Sequence, residues 1–422
     1  MSNFLNIKAL ALFTVTALCS QSSSAATKPS ANRPSGLAHA LQTTMAQHPA
    51  LKGKQAELSA QSFTVESTRA ERFASISGQL GQQSNGRHQG SIRLQQPLWT
   101  FGKIDTAIRQ AQAGLLTQSW QLLEVQRLLI EDTAAAYGKL QGIRQRAKVA
   151  RSNVIDHQRL YRQIKRRQQG QMASKADTRL AYSRLLQAKA QQQSISGELA
   201  IGLNELQAIT QIQVDSSASI DRQLTVLPAL QQTAQLAIEN SAVLQAKSQD
   251  IEAKRLTVKQ QKISTLPSVY LRLERDLGHS YSAADSTRLS LVLEGDVQGL
   301  GYVSRAQLKS ETARLGAAKL DLQVAKIDIN RRINTLMINR DLQQLLARSQ
   351  KQAINAVAGT MHSVTRQYQS GRKSWIEVLN TRRELNELRL QLAKINSDWL
   401  ISSLRVATLI GNLDALAGTT QR

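Results

Sequence analysis

LLEVQRLLIEDTAAAYGKLQGI, residues 122–143, places Leu122, Val125, Leu129, Thr133, Ala136, Leu140 and Ile143 on one helical stripe. Steps of three and four residues make the seam of a coiled coil, and the consecutive four-residue steps at Val125, Leu129 and Thr133 form a stutter. Working outward, the seam extends back through Leu115, Ala111, Ile108 and Ile104 and forward through Ala147, Ala150, Val154, Tyr161 and Ile164. A second seam runs through Leu315, Ala318, Leu322, Ala325, Ile329, Ile333 and Leu336, with the same four-four step at Ala325, Ile329 and Ile333. It resumes at Ile354, Val357, Met361, Val364 and Tyr368. At a rise of about 1.5 Å per residue, roughly 65 helical residues make a rod some ~100 Å long, which no compact domain of this size can contain.

The 422 residues are 41% hydrophobic but only 4% aromatic, and all six prolines (Pro29, Pro34, Pro49, Pro97, Pro228, Pro267) lie outside 98–227 and 268–422. Such long stretches without the usual turn residue are rare in a globular α/β enzyme and expected of long helices. Abundant Ala, Gln, Leu, Arg and Lys suit narrow helical seams better than one thick core. At the N-terminus Lys8 precedes the apolar run from Ala9 to Leu18, and small residues follow to Ser24-Ala25-Ala26. That is the pattern of a cleavable secretory signal over 1–26, cut after Ala26. Lipidation at Cys19 would want a small residue before the cysteine, where Leu18 stands. Cleavage after Ala26 leaves no cysteine, hence neither a disulfide nor thiolate chemistry, and takes the net charge from +24 to +23 by removing Lys8. No later segment approaches the roughly 18 apolar residues of a spanning helix, so an exported chain of this kind is periplasmic, secreted or built into an outer membrane as strands.

The chain also repeats itself. His48-Pro49-Ala50-Leu51 aligns with Ser241-Ala242-Val243-Leu244, Thr64-Val65 with Thr257-Val258, Gly102 with Gly301, Leu129 with Ile329, Val154 with Ile354 and Gly170 with Gly371. The same order of elements with a slowly drifting offset means two copies of one unit. The first unit, 37–210, holds a helix over 37–72, a β-hairpin at 74–98, a long helix at 100–169, a tip turn at 170–174 and a return helix at 175–207. The second, 228–413, holds a helix over 229–263, a hairpin at 267–296, a long helix at 300–370, a tip turn at 371–373 and a return helix at 374–410. Segments 27–36 and 211–227 are linkers, and 414–422 is a tail. Val269, Leu271 and Leu273, then Leu289, Leu291 and Leu293, alternate with their neighbours at the strand period, whereas Ile76, Leu80, Ile92, Leu94 and Leu98 do so more weakly. Gly170 and Gly371 suit the left-handed residue that ends a helix, and Ser174 and Ser374, each with an acid three residues on, suit the next start.

Two hairpins give four strands, too few to close a barrel, and an open sheet edge cannot sit in lipid. Three chains would supply about twelve strands, within the even-numbered range of outer-membrane barrels. His48-Pro49-Ala50-Leu51, Leu266-Pro267-Ser268-Val269, Gln96-Pro97-Leu98-Trp99-Thr100-Phe101-Gly102 and the tip turns 170–177 and 371–377 stand in duplicated order across roughly 37–413. With these motifs the chain resembles the TolC family of outer-membrane efflux and secretion channels. It departs from that pattern at Asp296-Val297-Gln298-Gly299, which lacks Pro-Leu-aromatic, and at Arg72-Phe73-Ala74, which lacks the proline before the first strand.

The resemblance implies a mainly α fold with a small β part. Long antiparallel coiled-coil helices would form an α-barrel, and four strands per chain would enter a trimeric 12-stranded transmembrane β-barrel. It further implies a homotrimer in the cell outer membrane with a long periplasmic extension. That trimer would be a passive conduit in contact with outer-membrane lipid, without cofactor or enzymatic activity. Its periplasmic tip would be opened by a periplasmic adaptor (membrane fusion) protein and an inner-membrane ABC or RND transporter, as the exit duct of a tripartite efflux or type I protein secretion system. On this resemblance the gate candidates are Tyr161, Arg162, Arg166, Gly170, Arg366, Tyr368 and Gly371. The adaptor-docking candidates are Ser174, Lys175, Asp177, Arg372, Lys373, Ser374 and Glu377. Trp99, Phe101, Tyr270 and Tyr302, near the hairpins, are membrane-interface candidates.

Basic residues crowd the same end: Arg144, Arg146, Lys148, Arg151, Arg159, Arg162, Lys165, Arg166 and Arg167 before the first turn, then Lys175, Arg179 and Arg184, echoed by Arg366, Arg372, Lys373, Arg382 and Arg383. Either this is a solvated helix surface or it concentrates positive potential for docking or gating. With no acid in 362–369, weak or anion-leaning selectivity is expected, and the basic tip tilts the cargo slightly toward acidic polypeptides. Six histidines show no ligand spacing, and no zinc, P-loop, dinucleotide or triad pattern appears, so they are expected to be solvated or locally bonded. A soluble periplasmic coiled-coil adaptor or scaffold would explain the seams but not the duplicated hairpins. Nucleic-acid binding is disfavoured by interleaved acids, scarce aromatics and the export signal.

Overall fold

The computed structural model describes residues 36–82, 88–214, 218–278 and 287–419. The expected signal over 1–26 with Cys19, most of the linker 27–36, the hairpin tips and the end of the tail lie outside these residues. The first half comprises α1 (Leu37–Gln47), α2 (Pro49–Ala70), β1 (Ser75–Gln82), β2 (His88–Trp99), α3 (Lys103–Gln169) and α4 (Lys175–Thr210). The second comprises α5 (Leu230–Glu239), α6 (Ala242–Ile263), β3 (Ser268–Gly278), β4 (Thr287–Glu294), α7 (Tyr302–Gln369) and α8 (Trp375–Leu409), and a short α9 (Asp414–Ala417) follows.

The single helices expected over 37–72 and 229–263 are each broken in two. At His48 the cause is Pro49, which forces the residue before it out of the helical region and suits the first helical position. His48 is extended (φ −64°, ψ 125°), and its Nδ1 accepts from Ala50 N at 3.2 Å. In the second half Ser241 starts α6 by accepting from Leu244 N at 3.2 Å.

The rods α3 and α7 run 67 and 68 residues, or roughly 100 Å. Each packs against the helix that returns from its tip, α4 or α8; α6 and α8 both also touch α3 and α7, joining the two halves. The largest core lies at mid-height, where Leu37, Leu41, Ile130, Tyr137, Leu140, Leu206, Leu404 and Leu413 meet. Two glycines let α8 approach α3 there. A Cβ on Gly138 would come within 3.2 Å of Ile401, and one on Gly142 would collide with Ser397. Ion pairs rivet the same level. Arg127 donates to Asp414 at 2.8 and 3.1 Å and to the Asn240 carbonyl, while Glu131 accepts from Arg332 at 2.5 and 2.7 Å and faces Arg405 at 3.6 Å. A second core, with Leu160, Ile164, Met361, Val364, Trp375 and Leu379, holds the lower ends of α3, α4, α7 and α8.

The strands form one antiparallel sheet in the order β1-β2-β3-β4, so the β2–β3 pairing joins the two hairpins. Among the described residues, β1 and β4 each have one unpaired edge.

Candidate functional site

Residues paired across antiparallel strands share a face, so the register sorts the sheet. Ile76, Leu80, Ile92, Leu94, Leu271, Leu273, Leu289, Leu291 and Leu293 fall on one side, with Gln96 toward its rod end and Arg275 and Thr287 toward its far end; Ser77, Gln79, Arg93, Gln95, Arg272, Glu274, Ser290 and Glu294 fall on the other. The apolar side is open, with these large apolar side chains, Leu94 apart, 37% to 87% exposed. The polar side is cross-linked, Arg93 to Glu274 at 2.9 Å and Arg272 to Glu294 at 3.0 Å. A contiguous exposed apolar face of this size marks a surface that meets something other than water.

A bulge between Pro97 and Trp99 changes the parity of β2. Such an extra residue re-aims a side chain: Trp99 pairs with Val269 on the apolar side, where strict alternation would have put it opposite, and it packs on Phe101 at 5.6 Å. Tyr270 pairs with Pro97 and Val292 on the polar side, apart from Trp99. Tyr302 is the exposed first residue of α7. The two strand-to-rod junctions match in backbone although not in sequence. Phe101 and Gly102 stand at φ 50° and 80°, Leu300 and Gly301 at 53° and 86°. The departure at 296–299 therefore changes residues, adds a left-handed Gly299 (φ 56°) within the short turn Gln298–Gly301, and keeps the entry into the helix.

At the opposite end the two turns have the same hydrogen bonds offset by one residue from the sequence alignment. Met172 N bonds Arg167 O and Arg372 N bonds Gln367 O, both at 2.8 Å, the closing bond of a Schellman turn. The left-handed residues are Gln171 (φ 59°) and Gly371 (φ 77°), whereas Gly170 stands at φ −84°. Gly170 thus corresponds to Ser370, not to Gly371, and is not the left-handed residue expected there. Ser174 and Asp177 form a reciprocal capping box: Asp177 N donates to Ser174 Oγ at 3.0 Å and Ser174 N to Asp177 Oδ2 at 3.3 Å. In the second turn Glu377 lies 2.7 Å from Lys373 and accepts from Ser374 Oγ at 3.4 Å. The hydrogen bond from Lys373 and that ammonium's charge hold the Glu377 carboxyl below its ordinary range.

The gate candidates come together in part. The Tyr368 ring packs on Trp375 at 5.0 Å with the Arg167 guanidinium over it at 4.7 Å, which brings the two turns into contact. Tyr161 packs on Tyr182 at 5.4 Å within its own hairpin. Arg162, Arg166, Arg366 and Arg372 are exposed, as are Lys175 and Lys373. The sequence reading missed Trp375, which opens α8 on the same face as Val378 and Leu379 and is buried with them. It also missed His157. This residue is 4% exposed, not solvated, and its Nδ1 has no hydrogen-bond partner. The seam itself carried the signal, since His157 fills the seven-residue step from Val154 to Tyr161 at a spacing of three and four. Among the described residues no group of His, Cys, Asp and Glu could hold a metal ion, and no helix is long and apolar enough to cross a membrane.

Residues 233–412 match the sequence model of the outer membrane efflux protein family. No curated protein sequence matches the chain. Solved structures share the fold along most of it. Against CusC, whose crystal structures describe conformational changes accompanying folding and transmembrane channel formation, the TM-score is 0.79 at 15% identity over 89% of this chain and 92% of that one. Against the outer membrane protein VceC of Vibrio cholerae it is 0.75 at 17% identity, over 89% and 96%. Against the CmeC outer membrane channel of Campylobacter jejuni it is 0.75 at 12% identity, over 91% and 90%. The second half of the chain thus resembles the outer membrane efflux proteins in sequence, and its described length carries the fold of solved outer-membrane channels.

Proposed function

We propose that three copies of this chain close their sheets, β4 of each on β1 of the next, into a twelve-stranded barrel in the outer membrane, with the paired rods forming a tunnel through the periplasm. The observation that carries this reading is the sheet itself: mostly apolar on one side, polar on the other and, among the described residues, unpaired at both edges. Lipid tolerates such a sheet only when its edges are joined. The apolar side then faces lipid, Trp99 and Phe101 lie at its periplasmic border, and the polar side lines the lumen. Arg93, Arg272 and Arg288 are balanced on that side by Glu274, Asp276 and Glu294, so selectivity falls to the basic tip.

The chain is a passive exit duct for a tripartite efflux or type I secretion system, energised by an inner-membrane ABC or RND transporter through a periplasmic adaptor. Tyr161, Arg162, Arg166, Gly170, Arg366, Tyr368 and Gly371 form the gate region, and Ser174, Lys175, Asp177, Arg372, Lys373, Ser374 and Glu377 the docking surface. Inactivating the gene separates the two cargoes. Increased drug susceptibility identifies an efflux outlet and disappearance of exported polypeptides a secretion outlet, whereas the absence of both changes contradicts the proposal. In planar bilayers the reversal potential is expected to be near zero or anion-leaning; clear cation selectivity would refute the role given to the basic tip.

A further inference from the structure

We propose that a buried polar pin centred on His157 ties the two helical hairpins of each chain together, roughly 20 Å above the tip turn, and that protonation of His157 releases it. The inference rests on the channel reading only for its consequence, opening of the tip.

Below mid-height the hairpin α3/α4 meets the hairpin α7/α8 chiefly through α3 and α8. Above, Ile143 and Ala150 of α3 and Ile195 of α4 pack with Leu390 of α8, and below, Leu160 of α3 packs with Val378 and Leu385 of α8. Between them the seam turns polar. Asp156 Oδ2 accepts from Arg382 Nη1 at 3.0 Å, and Asn386 Nδ2 donates to Gln191 Oε1 on α4 at 3.4 Å. His157 and Asn153 are both more than nine-tenths buried here, and His157 Nδ1, Asn153 Oδ1 and the Nε atoms of Arg184 and Arg382 find no partner. Two small cavities, about 240 and 230 Å³, flank the site and share Asn153 and Asn386. Unsatisfied buried polar groups beside space are a weak point in a packed interface.

The charges around the imidazole decide which way it responds. On its own helix it faces Asp156, which is held by Arg382 and lies 3.7 Å from Arg159; on α4 it faces Arg184; on α8 it faces Arg382, Arg383 and Glu387, the last two 3.8 Å apart. Both carboxylates are already engaged by guanidinium groups, so a proton on His157 adds positive charge to a buried and already positive place. Burial, then Arg382 and Arg184, hold the His157 imidazole below its ordinary value against the opposing pull of Asp156. The pinned state therefore binds this proton less readily than a parted state would. The tie keeps its full strength above the ordinary histidine value of about 6.5 and weakens as pH falls below it. A tip that widens by moving α7/α8 away from α3/α4 must part this seam.

Two readouts test the pin in the detergent-extracted full chain. Spin labels at Ile155→Cys and Glu384→Cys, in a Cys19→Ser background, report the α3–α8 separation, which is expected to lengthen between pH 7.5 and 5.5 and to stay fixed in His157→Gln. Open probability in bilayers is expected to rise about tenfold for each pH unit once titration begins, as a single-proton linkage requires, and to change less than about twofold in His157→Gln over the same range. Arg382→Gln removes a positive neighbour, so the pinned state takes up the proton more readily and the total pH-driven rise in open probability is expected to be smaller, whereas loss of its bond to Asp156 alone would raise open probability by the same factor at every pH. A separation independent of pH, or one that still lengthens in His157→Gln, overturns the pin. If the labels part while no current flows, the pin stands and the channel reading fails.

Discussion

Gln171 and Gly371 hold the same place in two copies of one turn, yet only one of them is built for it. A non-glycine residue in the left-handed region costs about 1–2 kcal/mol, and Gln171 bears that cost at φ 59°. Gln171→Gly is therefore expected to stabilise the first turn by about 1 kcal/mol, read as a higher midpoint in thermal unfolding of the purified protein, and Gly371→Gln to lower it by a similar amount. Arg127 shows the opposite sensitivity. Its guanidinium and the Asp414 carboxylate are each only about one-tenth exposed, so Arg127→Ala leaves a buried charge alone and is expected to cost about 3–5 kcal/mol. Replacing both residues with apolar ones of similar volume should restore much of that loss. At this scale the sequence was legible where a side chain acts through its own backbone, as at Ser174 and Asp177. It was misread where an alignment of glycines had to stand in for dihedral angles, as at Gly170.

The rods were legible because sixty-odd residues repeat one seam, and so many concordant steps leave no other period. The same continuity hid the breaks at His48 and Ser241, since an apolar stripe can carry across a change of helix. In the sheet, β3 and β4 announced themselves with alternating leucines, whereas SISGQLGQ of β1 offers only Ile76 and Leu80 and was found mainly as the copy of β3. Which side Trp99 occupies could not be read at all, because the bulge before it reverses the count. Two substitutions test the element-level account. Gly142→Ala brings a Cβ onto Ser397, so despite the better helix propensity of alanine it is expected to loosen α3 from α8 and cost about 1–3 kcal/mol in unfolding assays. Leu291→Lys puts a charge on the apolar side of the sheet and is expected to destabilise the membrane-inserted protein by about 2–4 kcal/mol. Ser290→Lys, one residue away on the polar side, should leave insertion into lipid vesicles nearly unchanged.

Over the whole molecule the unfinished surfaces agree with one another. Among the described residues the sheet has two free edges, and α7 leaves Leu320, Val324 and Ile327, then Ile338, Leu342 and Leu345, exposed at steps of four and three. Those are seam positions without a partner helix among the described residues. A further copy on each side would pair the strand edges and cover the stripes at once, whereas an isolated chain satisfies neither. The measurement that tests this most directly is the mass, by light scattering, of the protein extracted in detergent from a separated outer-membrane fraction. The account predicts the mass of three chains in that fraction; a soluble monomer or dimer would mean that the hairpins are not membrane strands and would contradict it.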